Sequence, residues 1–266
     1  MALALAVFAL LGLSGCNKLK ARDKLAKGVQ EYTDGHYDRA VEDFQDAMRL
    51  DPGLTVAQLY LGTAYQKQYI AGAPSEENQR MANEAIKQYL DILSRDPGNL
   101  SAIDRMGSLL YSMAATPFSP EKFGESKKYH LRHIALQPND PEPYYWVGMI
   151  DWTLAYRANM DLRSDYNHAH PTKQVKDEQP LPPDLRGKFT EAEKATVEDG
   201  IQMMKDAMDR RADYDDAMAY LNLLYRQKAD MTADPQERDD LIRQADALVD
   251  QVKQIKQKRA NAPSNT

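Results

Sequence analysis

The sequence is poor in cysteine, since Cys16 is the only one among 266 residues. No disulfide can form within the chain, so the fold is expected to be held by packing alone. Three catalytic signatures are also missing: a glycine-rich phosphate loop, a Gly-x-Ser-x-Gly elbow and a His-Glu-x-x-His zinc pair. These absences argue against a P-loop nucleoside triphosphatase, a hydrolase with a serine elbow and a zinc protease.

A surplus of positive charge is missing too. Lys and Arg total 34 against 40 Asp and Glu, the net charge is -6, and the basic residues are interspersed with acidic ones. Domains that bind nucleic acid typically carry a basic patch or stripe. We therefore predict that the chain has no nucleic-acid partner.

The N-terminal residues 1–15 contain no charged residue, and their apolar run is shorter than the roughly 20 residues of a membrane-spanning helix. The run fits the apolar region of a secretory signal, which typically spans about 7 to 15 residues and ends in small residues. No Lys or Arg precedes it, which departs from the usual signal pattern. Charged residues follow abruptly after Cys16, which argues against a buried core helix.

The four residues that end in Cys16 resemble the lipobox of bacterial lipoproteins: Leu13-Ser14-Gly15-Cys16. The resemblance implies that the signal peptide of residues 1–15 is removed and that Cys16 becomes the first mature residue, acylated with chains such as palmitate. More than one acyl chain makes membrane anchoring stable. Asn17 after the cysteine favours the periplasmic face of the outer membrane. The alternative is a soluble adaptor with an uncleaved N-terminus.

A pattern repeats along the chain. Three tripeptides end in proline and are followed by turn residues: Leu50-Asp51-Pro52, Arg95-Asp96-Pro97 and Leu136-Gln137-Pro138. Proline cannot continue a helix, so each tripeptide predicts a helix end. Apolar residues recur at helical spacing before each stop, and an apolar stretch with a glycine follows it. The repeating unit is therefore helix, turn, helix and stop.

This unit resembles the tetratricopeptide repeat (TPR), a pattern of two antiparallel helices. In the first copy the matching positions are Gly28, Ala40, Phe44, Ala47 and Pro52. The resemblance implies an all-α, right-handed superhelical solenoid of about five repeats over residues 16–229. We expect residues 230–258 to form a helix that caps the last repeat, with a dimer seam as the alternative, and residues 259–266 to form a disordered tail.

Three insertions interrupt the repeats, near residues 69–81, 115–124 and 160–188. Each lies between the two helices of one repeat, so a solenoid would place them along one edge. Such insertions are either functional or tolerated surface loops. Thr190 and Glu193 resemble a capping box, which predicts that the second helix of the fourth repeat begins there.

The first helices of the repeats would line a concave groove. The exposed positions implied by the resemblance include Tyr32, Leu59, Gln66, Tyr111, Tyr145, Met149, Trp152 and Arg226. Tyr, Trp and Arg often anchor interfaces, so this face suits an apolar segment of a protein or peptide partner. The alternative is that these side chains belong to the core.

Two histidine pairs are the remaining candidates for chemistry. His130 and His133 lie one helical turn apart, and His168 and His170 lie in the longest insertion near Asp165. Imidazoles at such spacings can bind zinc, which leaves open a metal-dependent envelope enzyme that uses this insertion. A metal site also needs a third ligand and supporting side chains. We predict instead that the first pair packs between repeats and the second is solvated, with no metal, cofactor or enzyme activity.

The sequence therefore predicts a lipid-anchored, non-catalytic scaffold in the bacterial cell envelope that binds other envelope proteins. Its combination of fold and anchor is similar to TPR lipoproteins that serve outer-membrane protein, pilus or secretion-system assembly. A fold does not fix a function, so the partner and the oligomeric state do not follow from the sequence.

Overall fold

A computed structural model describes residues 2–261, with side chains described from Cys16 onward. These residues form helices joined by turns and loops, and no strand occurs among them. The helices are α1 (Ala2–Thr33), α2 (Tyr37–Leu50), α3 (Thr55–Gln68), α4 (Glu76–Arg95), α5 (Leu100–Ala115), α6 (Pro120–Leu136), α7 (Pro141–Ala169), α8 (Pro183–Arg210), α9 (Asp215–Met231) and α10 (Pro235–Ala260). The predicted all-α class is confirmed. Over the described residues, no helix has an apolar stretch long enough to cross a membrane.

The predicted helix stops are confirmed, because α2, α4 and α6 end at the first residues of the three proline tripeptides. The two Asp-Pro-Gly sequences form the same turn. Asp51 Oδ1 accepts a hydrogen bond from the Gly53 backbone N–H at 3.2 Å, and Asp96 Oδ1 accepts one from the Gly98 backbone N–H at 3.2 Å. The aspartate therefore fixes the turn that the proline begins.

The chain divides into two compact units, the first ending at Tyr129 and the second beginning at His130. In the first unit consecutive helices from α1 to α5 pack against each other. A methyl group added at Gly28 would lie 2.6 Å from the Phe44 ring, and one at Gly62 would lie 2.7 Å from the Tyr89 ring. Both rings are fully buried, so each glycine makes room for the aromatic side chain beside it.

In the second unit α7 packs on α8, α8 on α9 and α9 on α10, and α7 also contacts α9. The last helix buries Leu241, Ala245 and Leu248. Arg259 belongs to this helix and its Nη1 lies 2.7 Å from Asp215 Oδ1, so the expectation that disorder begins at residue 259 is wrong. Residues 262–266 of the predicted tail lie outside the described residues.

The insertions are shorter than predicted, because the helices extend into them. The loops comprise residues 69–75, 116–119 and 170–182. The predicted capping box at Thr190 is wrong, since α8 begins at Pro183, and Thr190 Oγ1 donates to the Arg186 carbonyl at 2.8 Å inside this helix. Proline is favoured in the first turn of a helix, and the proline-rich stretch therefore starts the helix where the sequence suggested loop.

Candidate functional site

The four predicted groove residues of the first unit are half-buried and contact other residues of that unit. The Tyr32 ring lies 6.1 Å from the Tyr60 ring, and the Tyr111 ring lies 5.2 Å from Phe123. Leu59 packs against the buried core. The remaining residue, Gln66, forms hydrogen bonds through both ends of its amide: Nε2 donates to Ser108 Oγ at 3.2 Å, and Oε1 accepts from Tyr89 Oη at 2.7 Å. These side chains therefore serve packing between helices.

A polar cleft of about 270 Å³ lies beside Gln66 in the first unit. Its lining includes Thr63, Lys67, Arg105 and Ser112. Lys67 and Arg105 are exposed, and neither forms an ion pair with a residue that the structure describes. The cleft is therefore polar and basic, with little aromatic surface.

The second unit contains a row of aromatic side chains that reaches the surface. We call Tyr145, Tyr220, Trp152 and Tyr156 the aromatic row. The ring centroids of Tyr145 and Tyr220 are 5.7 Å apart, and those of Tyr220 and Trp152 are 5.1 Å apart. Tyr156 stacks on Trp152 at 5.2 Å with an interplanar angle of 19° and is 42% exposed. The first three side chains are half-buried, and the row ends in solvent at Tyr156.

The prediction that Met149 is exposed in the groove is wrong. Met149 lies between Tyr145 and Trp152 on the same stripe of α7, but its side chain is only 6% exposed. Apolar side chains at helical spacing fill a core whenever neighbouring helices cover them. Met149 therefore belongs to the core of the unit, whereas Tyr145 and Trp152 are half-buried.

A cleft of about 420 Å³ lies at the exposed end of the aromatic row. Helices α7, α9 and α10 and the loop of residues 170–182 all contribute to it. Its apolar lining residues are Trp152, Tyr156, Leu223 and Ile242. Its charged lining residues are Asp177, Glu178, Asp230, Asp239, Arg226 and Arg238. We call this site the acidic cleft, because four carboxylates face two guanidinium groups.

The predicted residues Trp152 and Arg226 line this cleft, but the sequence did not reveal Tyr156, Asp177 or Glu178 as site residues. Tyr156 lies one helical turn after Trp152, which is a signal that the sequence contains. The two carboxylates lie in an irregular loop, so no periodic pattern indicates where they point.

Most charges of the acidic cleft have partners. Asp230 Oδ2 lies 2.8 Å from Arg163 Nη2, and Arg226 Nη2 lies 2.6 Å from Asp246 Oδ1. Arg238 Nη1 lies 3.9 Å from Asp239 Oδ1. The carboxylates of Asp177 and Glu178 have no hydrogen bond or ion pair within residues 16–261, and both residues are exposed. The uncompensated charge of the cleft is therefore negative.

Arg163 joins the loop of residues 170–182 to α9. The residue is 3% exposed. Its Nη1 donates to the Lys176 carbonyl at 2.8 Å, and both Nη atoms donate to the Gln179 carbonyl at 3.1 Å. Its remaining bonds go to Asn159 Oδ1 and Asp230 Oδ2, both at 2.8 Å. A buried guanidinium is stable only when its donors are paired, and here Nε, Nη1 and Nη2 of Arg163 each donate to an acceptor.

A second anchor fixes the middle of the same loop. Asn167 Oδ1 accepts from the Val175 backbone N–H at 2.7 Å, and Asn167 Nδ2 donates to the Val175 carbonyl at 3.0 Å. Val175 and Leu181 are buried. The longest insertion is therefore an ordered wall of the cleft, with Asp177 and Glu178 between its anchored points.

His130 and His133 are both buried in the second unit, where packing was predicted. The His130 ring stacks on Trp146 at 5.2 Å with an interplanar angle of 4°. Burial lowers the pKa of His130 to about 4, with a smaller contribution from His133. The Nε2 atom of His133 lies 3.3 Å from Asp140 Oδ2.

His168 and His170 are exposed, as is Asp165. The His170 ring stacks on Tyr166 at 4.2 Å. No group of three potential metal ligands occurs in the part of the chain that the structure describes. The residues of the alternative enzyme hypothesis are therefore not brought together as a metal site there. Cys16, the predicted acylation site, is exposed.

Comparisons with known proteins bear on the fold. No protein-family model and no curated protein matches the sequence. Among solved structures, the chain is similar to the crystal structure of MamA at 14% identity, covering 93% of this chain and 97% of that one, with a TM-score of 0.56. MamA from Desulfovibrio magneticus RS-1 gives 14% identity, 91% and 97% coverage and a TM-score of 0.55.

A third similar structure is YrrB, described as a TPR protein with an unusual peptide-binding site. It shares 14% identity over 88% of this chain and 90% of that chain, with a TM-score of 0.50. These neighbours are TPR proteins, so the predicted TPR fold is confirmed. The lipobox stays a prediction.

Proposed function

We propose that the chain is a lipid-anchored, non-catalytic scaffold of the bacterial cell envelope that holds a partner protein at the acidic cleft. The observation that carries the binding role is the exposed end of the aromatic row, where Tyr156 and Trp152 form a wall of the cleft. Exposed Tyr and Trp beside a concavity are typical anchors of protein interfaces. The description of YrrB as a protein with a peptide-binding site supports the same role for this fold.

The proposed anchor is Cys16. Its place at the end of Leu13-Ser14-Gly15-Cys16 supports cleavage before the cysteine and acylation of its sulfur. The thiol is exposed, as a modifying enzyme requires. Asn17 supports the periplasmic face of the outer membrane as the location. Assembly of outer-membrane proteins, pili or a secretion system is the kind of process that such a scaffold would serve.

The anchor is tested by intact mass and by membrane fractionation of the full chain. We expect a mature mass that begins at Cys16 and includes acyl chains, and sedimentation with membranes. The Cys16→Ser variant should be unacylated and leave the membrane fraction. An unprocessed chain with a free thiol would contradict the anchor and favour the soluble adaptor.

The binding role is tested by capture from detergent-solubilised membranes, comparing the unaltered chain with Tyr156→Ala. We expect Tyr156→Ala to reduce capture of a specific envelope protein several-fold. Tyr166→Ala is the matched control, because Tyr166 lies on the same helix and does not line the cleft. Equal capture by both variants and the unaltered chain would contradict the cleft as the binding site.

A further inference from the structure

We propose that the acidic cleft binds a lysine or arginine side chain of the partner, with an apolar side chain next to it in the same segment. This inference rests on the proposed function and specifies the chemistry of the partner. It follows from three properties of the cleft: its uncompensated negative charge, its exposed aromatic wall and the anchored backbone that carries its two carboxylates.

The charge comes from Asp177 and Glu178. Asp230 and Arg226 lie 2.8 and 2.6 Å from the opposite charges of Arg163 and Asp246. Arg238 and Asp239 form a looser pair at 3.9 Å, and the buried Arg238 Nε has no hydrogen-bond partner among the described residues, but their two charges cancel. Within the described chain, the carboxylates of Asp177 and Glu178 have neither a hydrogen bond nor an ion pair. Charge complementarity therefore favours a cationic side chain and disfavours an acidic one.

The aromatic wall favours the same ligand. Tyr156 is 42% exposed and stacks on Trp152, so the pair offers an aromatic surface at the edge of the cleft. Arg and Lys are attracted to the negative face of such rings, and an adjacent carboxylate adds to that attraction. Leu223 and Ile242 are half-buried and line the same cleft, which leaves apolar surface for a neighbouring side chain of the segment.

The carboxylates lie on a part of the loop that is fixed on both sides. Val175 is bonded through its backbone to Asn167, and the Lys176 and Gln179 carbonyls accept hydrogen bonds from Arg163. Asp177 and Glu178 lie between these points and contribute no side-chain bond to the loop. Binding does not have to order the loop, and preorganisation of this kind increases affinity.

The test selects ligands from a mixture, so the partner need not be identified first. A randomised library of short peptides with blocked termini is bound to the immobilised full chain, and the retained peptides are sequenced by mass spectrometry. We expect enrichment of peptides in which Lys or Arg lies next to Leu, Phe, Tyr or Trp. The affinity of the most enriched peptide is then measured by fluorescence anisotropy.

The decisive variant is Asp177→Asn with Glu178→Gln, which removes both charges and preserves side-chain size. We expect it to weaken the cationic peptide about tenfold, as the loss of two ion pairs and their support of a cation–π contact implies. The matched control is Glu191→Gln with Glu198→Gln, two exposed carboxylates of the same unit that do not line the cleft. This control should bind like the unaltered chain, and added salt should weaken binding of the unaltered chain.

Other outcomes overturn the inference, and they separate it from the proposed function. The cationic ligand is refuted if the enriched peptides lack Lys and Arg, or if their affinity is the same for the variant without the two charges. In either case, capture that depends on Tyr156 still supports the scaffold. No retained peptide together with such capture refutes a linear cationic segment. A dimer that the charge-removing pair disperses would make a second copy of the chain the occupant, which also refutes it. If capture does not depend on Tyr156 either, the proposed function fails as well.

Discussion

The loop of residues 69–75 in the first unit and the loop of residues 170–182 in the second are fastened by the same device. In the first, Asn78 Oδ1 accepts from the Ile70 backbone N–H at 2.7 Å, and Asn78 Nδ2 donates to the Ile70 and Ala73 carbonyls at 2.8 and 2.9 Å. In the second, Asn167 pairs in the same way with Val175. A side-chain amide thus replaces the backbone partner that an irregular segment lacks.

The difference between the loops lies in a buried charge. Asn78 holds the short loop through an uncharged amide, whereas the longer loop also receives three hydrogen bonds from the buried guanidinium of Arg163. The extra length carries Asp177 and Glu178 to the rim of a cleft. The clefts of the two units differ in the same sense, because the one beside Gln66 is polar and basic and the other is aromatic and acidic. In the second unit the insertion therefore forms one wall of a cleft.

The largest effect should come from breaking the buried charge. Arg163→Leu leaves Asp230 without its counter-ion and removes the donors to the Lys176 and Gln179 carbonyls. We expect the free energy of unfolding to fall by about 3 to 5 kcal/mol, measured by urea denaturation. Arg157→Leu on the same helix removes an exposed pair with Asp161 and should cost about 1 kcal/mol or less. Equal losses in the two variants would contradict the role of Arg163.

The next effect is a loss of stability at low pH. The second unit buries His130, whereas the histidine of the first unit, His36, is exposed. The folded pKa of His130 is about 4 against an unperturbed value of 6.5. Between these values the unfolded chain binds a proton that the folded chain does not, so stability falls as the pH decreases. We expect this histidine to account for about 3 kcal/mol of lost stability between pH 6.5 and 4.

The check is urea denaturation at several pH values for His130→Phe, which keeps an aromatic ring beside Trp146. This variant should lose the part of the acid sensitivity that His130 contributes. His36→Phe is the control and should retain the acid sensitivity of the unaltered chain. If stability depended on pH in His130→Phe as it does in the unaltered chain, His130 would not be a source of the acid sensitivity.

A smaller loss of stability should follow from replacing either loop asparagine, Asn78 or Asn167. Asn78→Ala leaves the Ile70 backbone N–H and the Ala73 carbonyl unpaired, and Asn167→Ala leaves the N–H and the carbonyl of Val175 unpaired. We expect Asn78→Ala to cost about 1 to 3 kcal/mol, and Asn167→Ala less, because Arg163 still holds the long loop. Hydrogen exchange should increase throughout residues 69–75 in the first variant but only near Val175 in the second. Lys87→Ala, an exposed change on α4 away from the short loop, should alter neither loop.

The smallest effect on stability should come from the residues assigned to the ligand. Asp177→Asn with Glu178→Gln removes no contact within the described chain, so the free energy of unfolding should change by about 0.5 kcal/mol or less. Thermal denaturation checks this. A large loss would mean that the carboxylates support the loop, and that the comparison between a structural loop and a ligand-bearing loop is wrong.

The regular parts of the fold were predictable because each rests on a local rule. Proline cannot continue a helix whatever surrounds it, so Pro52 and Pro97 predict helix ends. Gly28 allows the close approach of a large ring, which Phe44 supplies. The extent of the insertions was not predictable in the same way. Pro183 is compatible with a loop and with the start of a helix, and only the packing of α8 decides between them.

The site was predictable in part. Trp152 lies on a helical stripe, and the structure places it at the acidic cleft, but the same stripe contains the buried Met149. Burial depends on which neighbouring helix covers a position, and a single sequence does not show that. Asp177 and Glu178 were beyond sequence reasoning, since the loop that presents them is shaped by Arg163 through contacts distant in the chain.

Whether the acidic cleft holds a partner protein can be tested in living cells by photo-crosslinking with p-benzoylphenylalanine at position 156. The control places the same residue at position 70 in the first unit, where Ile70 is 66% exposed. We expect a specific crosslink from position 156 to an envelope protein, at a segment that contains Lys or Arg beside an apolar residue, and no such crosslink from position 70. No crosslink at position 156, or the same crosslinks at both positions, would rule out the acidic cleft as the place where the partner binds.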